Sequence, residues 1–202
     1  MPKAESGILN PKKVLEKLKS LPGKYESTDQ YKEAIEFGYN VVSEIMKLCR
    51  EGSGQKAKKT VNKFYRTLGA EERHSLVTLA ETYAQHNRGT EKDIEGAQDV
   101  LAIDRKVELI RSTPDVMRAQ GFDEKYVKKS SYSAVETLVT AATRYPAVAG
   151  LVSSLARKEP ASDRASLLAE AQAYVREEHP TGGEKVLSQA GFLTAENKKK
   201  KS

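Results

Sequence analysis

One cysteine in 202 residues, Cys49, set in an apolar run, excludes a disulfide framework and a thiolate metal cage. A reducing compartment suits such a chain. The opening residues, MPKAESGILNPKK, lack the apolar core of a secretory signal, so export is not expected. The longest apolar stretch, Leu138 to Val152, is broken by Arg144 and Pro146 and predicts no membrane-spanning segment. No segment alternates with period two, which speaks against a sheet, and no internal repeat is visible.

Catalytic signatures are equally missing. There is no G-x-S-x-G elbow, no H-E-x-x-H and no G-x-G-x-x-G. The run Gly52-Ser53-Gly54-Gln55-Lys56 has glycines and a lysine, but without the spacing of a phosphate loop or a preceding strand it reads as a linker. His74, His86 and His179 are far apart and pair with no other ligand at metal-binding spacing, so neither a metal nor another cofactor is implied. The carboxylate pairs Glu71-Glu72 and Glu177-Glu178 read as complements of a helix start and a solvated helix end. No catalytic residue is assigned and the chain is not read as an enzyme.

What the sequence does have is charge, unevenly placed. Residues 1–66 carry 14 Lys and Arg against 8 Asp and Glu, residues 67–197 carry 16 against 20, and Lys198, Lys199, Lys200 and Lys201 close the chain. Two basic ends flanking an acidic body is a pattern of polyanion-binding extensions.

Helical signals run throughout. Asn10 before Pro11 opens a helix whose Val14, Leu15, Leu18 and Leu21 share one side, with Lys12, Lys13, Lys17 and Lys19 on the remainder. Pro22-Gly23 ends it. Ser27 with Gln30 forms a capping-box pattern that opens a helix to about Arg50, with Tyr31, Ile35, Val42, Ile45 and Cys49 on one face. The segment QKAKKTVNKFYRTLG gathers Ala57, Val61, Phe64, Tyr65 and Leu68 on one side and Lys56, Lys59, Lys63 and Arg66 opposite. Further helices are predicted around Leu76, Leu79 and Tyr83, from Thr90 with Asp93 to about Arg111, from Thr113-Pro114 to Gly121, over 131–145 and 146–157, and over 163–177 and 184–190. The pair at 131–157 is apolar on more than one side and predicts the centre of the core.

The fold class is therefore all-α. The expected organisation is a basic helical N-terminal arm, 1–66, followed by an antiparallel helical bundle, 67–192, and a lysine-rich tail, 193–202. The stretch from Gly52 to Ala70 contains no Asp or Glu, so nothing on it neutralises the lysine ridge. Such surfaces bind nucleic acid by releasing counterions from phosphates. Lysine outnumbers arginine 23 to 11, which favours backbone contact over base reading. The candidate phosphate contacts are Lys12, Lys13, Lys17, Lys19, Lys24, Lys56, Lys59, Lys63 and Arg66. Tyr25 and Tyr65 are possible stacking partners for bases, with Tyr65 assigned instead to the core.

A basic helical arm broken at Pro22-Gly23 and followed by an apolar bundle at 130–175 resembles the major capsid proteins of filamentous archaeal DNA viruses. In that family the arm wraps duplex DNA and the bundle forms the outside of a filamentous virion. The resemblance implies a coat protein located in the virion, with double-stranded DNA and itself or a related subunit as partners. It also implies that Val14, Leu15, Leu18 and Leu21 are assembly contacts, buried against neighbouring subunits. The residues alone leave DNA or RNA, single or double strand, open. The rival readings are a cytoplasmic helical adaptor whose basic ends solubilise it, and a helical enzyme with a composite site.

Overall fold

The computed structural model describes residues 7–22, 24–52 and 54–194, and all of their regular structure is helical. Twelve α-helices follow in chain order: α1 Pro11–Ser20, α2 Thr28–Glu51, α3 Gln55–Thr67, α4 Ala70–His86, α5 Glu91–Ile94, α6 Ala97–Leu101, α7 Ile103–Ser112, α8 Asp115–Ala119, α9 Glu124–Arg144, α10 Ala149–Ala156, α11 Ala161–Glu178 and α12 Gly183–Gln189. Short 3-10 turns cover Gly7–Leu9 and Ala190–Leu193. Among the described residues no helix is long and apolar enough to cross a membrane. Gly23, the joint residue Ser53 and the terminal lysines lie outside the described residues.

The chain forms two compact units, Met1–Ala102 with Tyr145–Val148, and Ile103–Arg144 with Ala149–Ser202. The charge profile changes at residue 66, but the contacts divide the chain at 102. The reason is that α2 packs along α4, so helices on either side of residue 66 share one core.

Side-chain caps open α1 and α2. The Asn10 side chain accepts from the amides of Lys12 and Lys13 at 3.2 and 3.5 Å, with Pro11 in the first turn. Ser27 accepts from the Gln30 amide at 3.2 Å, and Gln30 accepts in return from the amide of Glu26 at 3.1 Å. The helix expected from Thr90 to Arg111 is instead three pieces, α5, α6 and α7. No capping box forms there, because the Thr90 hydroxyl donates back to the Asn87 carbonyl and the Asp93 carboxylate accepts from the Tyr39 hydroxyl. Gly96, at φ 77°, then turns the chain in a way that a helix cannot follow.

In unit 1, α2 buries Ala34, Ile35, Val41, Val42, Ile45, Met46 and Cys49. Gly38 lies where α2 and α4 approach most closely, since a Cβ there would collide with Leu79 and press on the backbone of Ala80. Ala57, Val61, Phe64, Tyr65 and Leu68 are all buried, as the spacing of α3 predicts. Of the α1 stripe, Val14 is taken up within its own unit. Val14 is 2% exposed within its own chain, while Leu15, Leu18 and Leu21 are half-buried. Folding α1 onto α3 covers one side of so short a helix, which could not persist in water alone.

Unit 2 is built on α9, which packs along α11 and also meets α7, α10 and α12. Val127, Ser131, Tyr132, Ala134, Val135, Leu138, Val139 and Ala141 are its buried residues, so the apolar stretch read from the sequence does lie in a core. At the surface, Lys128 pairs with Glu177 at 2.7 Å and Lys125 with Glu178 at 3.0 Å, bridging α9 and α11.

The internal repeat invisible in the sequence is present in the structure. The two units share most of their helix order, with α8 present in unit 2 alone and the 3-10 turn Ala190–Leu193 in the place of α6, and the match extends to individual residues. A shift of 91 positions carries Arg73 to Arg164, Ser75 to Ser166, Leu76 to Leu167, Ala80 to Ala171 and Tyr83 to Tyr174. A shift of 92 carries α1 onto α7, both of 10 residues, with Glu16, Lys19, Ser20 and Pro22 falling on Glu108, Arg111, Ser112 and Pro114. The hydrogen bonds repeat as well. Buried Arg73 donates to the carbonyls of Leu68 and Leu101, and buried Arg164 donates to those of Glu159 and Leu193, the positions the same shifts predict. Tyr39 stacks on Tyr83 with centroids 4.4 Å apart, and Tyr132 meets Tyr174 at 5.3 Å. The two units thus repeat much of one helical arrangement.

Candidate nucleic-acid interface

α3 positions the ridge. Its apolar residues recur every three or four positions and are drawn into the unit 1 core, which forces the intervening residues outward. Lys56, Lys59, Lys63 and Arg66 are exposed and Lys58 is half-buried, so the basic groups share the outer side of one helix. α3 has no acidic residue in its first turn or anywhere in its sequence. Tyr65 is 6% exposed, with the Arg73 guanidinium 3.7 Å from its ring centre, and is a core residue as expected.

α1 packs against α3 and adds a second set of cations. Lys12, Lys13, Lys17 and Lys19 are exposed, as is Lys24 beyond the helix end, with Glu16 the acid among them. Tyr25 is half-buried and meets Tyr31 edge-on at 5.3 Å, so its ring is partly committed to its own chain.

The repeat supplies an internal comparison. α10 holds in unit 2 the place of α3 in unit 1, since a shift of 91 carries buried Val61, Tyr65 and Leu68 to buried Val152, Ala156 and Glu159. The same shift carries Lys58, Lys59 and Lys63 to Ala149, Gly150 and Ser154, and only Arg66 meets another cation, Arg157. One helix therefore fills the structural position without lysines. The ridge is not a requirement of the fold.

Other ionisable groups have structural explanations. Burial and the hydrogen bond to Asp93 push the Tyr39 hydroxyl up to about 12. Burial pushes the Cys49 thiol up to about 12, against the opposing charge of Arg50. Arg118 is raised by its bonds to Glu124 and Glu170. His86 Nδ1 lies 2.8 Å from the Thr82 carbonyl, and His179 ends α11 at φ 44°. Among the described residues no group of three or more potential ligands could hold a metal.

One feature of unit 1 is not signalled by the sequence. An open cleft of about 440 Å³ lies between the end of α1 and the first half of α4, lined by Leu18, Leu21, Tyr25, His74, Thr78 and Leu79 among others. Glu71 and Glu72, at the start of α4, also border it. Only the half-burial of Leu18 and Leu21 hints at it, and half-burial is not a sequence property.

No family model, curated protein or solved structure matches this chain.

Proposed function

We propose that the protein coats nucleic acid, binding the phosphate backbone through unit 1 without strong sequence preference. The observation that carries this reading is the exposed ridge of Lys56, Lys59, Lys63 and Arg66 on a helix with no acid in its own sequence, absent from the sister helix α10 that packs in the equivalent place. Lys12, Lys13, Lys17, Lys19 and Lys24 widen the surface from α1 and its exit. Lysine ammonium groups on a helix are point charges suited to phosphates rather than to the paired acceptors of a base edge.

The coat reading, with duplex DNA as the polymer and copies of the chain as neighbours, follows the resemblance to filamentous capsid proteins. Because Val14 is taken up inside its own unit, contacts between copies fall to other surfaces, while the ridge carries the contact with the polymer.

Titration of the full chain onto labelled duplex DNA, single-stranded DNA and RNA of several sequences tests this. Binding is expected to weaken steeply with salt and to vary little with sequence. Lys56→Glu, Lys59→Glu and Lys63→Glu together are expected to abolish it. Failure to bind any polymer at low salt overturns the reading and favours a helical adaptor.

A further inference from the structure

The corner of unit 2 equivalent to the open cleft of unit 1 is bridged by side chains. There Ile110 is fully buried, and Arg118 of α8 reaches Glu170 of α11 at 2.6 Å while also holding Glu124 at 3.0 Å. Shifting back by 92 and 91 positions, Arg118 falls on Glu26 and Glu170 on Leu79. Unit 1 has neither member of the latch. Leu18, at the Ile110 position, is left half-buried, and the cleft stands open beside it. Unit 2 thus shows what this corner accepts: apolar groups with a cation beside them, set against carboxylate. Unit 1 keeps Leu18, Leu21 and Leu79 for the first and Glu71 and Glu72 for the second.

The chain itself carries a surface of that chemistry. Among the described residues the exposed large apolar side chains are Val116, Phe122 and Tyr126, at 42, 44 and 46%. All three belong to α8, the start of α9 and the turn between them. Phe122 and Tyr126 stack with centroids 4.8 Å apart and planes at 18°, which makes one stiff aromatic plate. Lys129 is exposed three residues beyond Tyr126, on the same face of α9.

We propose that a second copy of this chain seats the Phe122–Tyr126 plate in the cleft of unit 1, with Lys129 against Glu71 and Glu72. An uncovered apolar floor and an uncovered aromatic plate each favour contact with the other over water, and each rim carries both signs, Glu71, Glu72 and Lys19 on the cleft and Lys129 and Asp123 by the plate, so that opposite charges can pair. The two surfaces differ, so each copy offers a cleft to one neighbour and a plate to another, and the association closes into a ring or grows as a filament according to the rotation between successive copies. The proposal rests on the coat reading for its purpose, naming the contact that would hold successive copies along a polymer.

Sedimentation velocity on the full chain over a range of concentrations, without nucleic acid, tests it. The wild type is expected to grow in mass with concentration. Tyr126→Asp removes the plate and Thr78→Arg, at an exposed position of the cleft wall, fills the mouth; both are expected to be monomeric with unchanged circular dichroism. Mixed in equal amounts, they are expected to form a dimer and nothing larger, since one good cleft meets one good plate. Phe122→Ser and Ser75→Arg serve as second variants should either of the first fail to fold. A wild type monomeric at every concentration, a folded variant that assembles as the wild type does, or a mixture that stays monomeric overturns the proposal. The lysine-ridge variants are expected to assemble normally while losing nucleic acid, so failure of the contact and failure of the binding reading give different results.

Discussion

Arg73 and Arg164 hold the same place in two copies of one unit. Each is the fourth residue of its helix, each donates to the carbonyl five residues earlier, and each donates again to a leucine carbonyl, 28 residues later for Arg73 and 29 for Arg164. Both guanidinium groups are buried, at 4 and 3% exposure. A five-donor fork is the side chain that can reach several loop carbonyls at once. Each arginine thereby ties the start of a long helix to the closing turn of its unit.

Replacing either by Met leaves those carbonyls buried without their donor. Arg73→Met and Arg164→Met are each expected to cost about 2–4 kcal/mol in urea unfolding. A neutral result at either site would show that the paired bonds are not what holds the unit closed.

Glycines in the two units are expected to respond with opposite signs. Gly38 has no room for a Cβ against Leu79 and Ala80, so Gly38→Ala forces α2 away from α4 and should destabilise by about 1–3 kcal/mol. Gly150 in α10 meets nothing within 4 Å, and its φ is not in the left-handed region. Gly150→Ala is expected to stabilise by about 0.5–1 kcal/mol through helix propensity and lost chain entropy. Thermal melts of the two variants check both signs.

The Cys49 thiol titrates near 9 in an unfolded chain and near 12 in the fold. Its neutral form is favoured by folding, so the contribution is intact below 9 and is lost as pH rises from there towards 12. Thiol-reagent labelling at pH 8 is expected to be negligible in the native protein and to become rapid in urea, because the buried sulfur is reached only by opening. Fast labelling without denaturant would contradict the packing of α2.

Each Lys→Gln change at Lys56, Lys59 or Lys63 is expected to lower the slope of log binding constant against log salt by about 0.9 on duplex DNA. Stability should move by less than about 0.5 kcal/mol, because the three side chains are exposed. The reverse change in the sister helix, Ser154→Lys, is expected to be tolerated to a similar degree. Anisotropy titrations at several salt concentrations, with melts of the same variants, separate a binding role from a structural one.

Much of the architecture is determined by local sequence. Apolar residues spaced at three and four positions, with Asn10-Pro11 and Ser27-Gln30 as starts, suffice to specify an all-α chain and the inward and outward faces of α3. The exposure of the Lys56–Arg66 ridge follows from the same period, because burying Val61 and Phe64 leaves the lysines no inward direction. Tertiary structure alone decided the rest. Asp93 looks like a cap until Tyr39 claims its carboxylate from 54 residues away, and the predicted helix breaks there. Val14 reads as an assembly contact in the sequence and is 2% exposed in the fold, where α1 packs against α3. The repeat escapes notice because helix packing constrains little beyond apolar spacing, so two units can share an arrangement with few residues in common. What they retain are a few polar groups with fixed partners, and a pairing such as Arg73 with Leu101 or Arg164 with Leu193 becomes visible only when the chain has closed on itself.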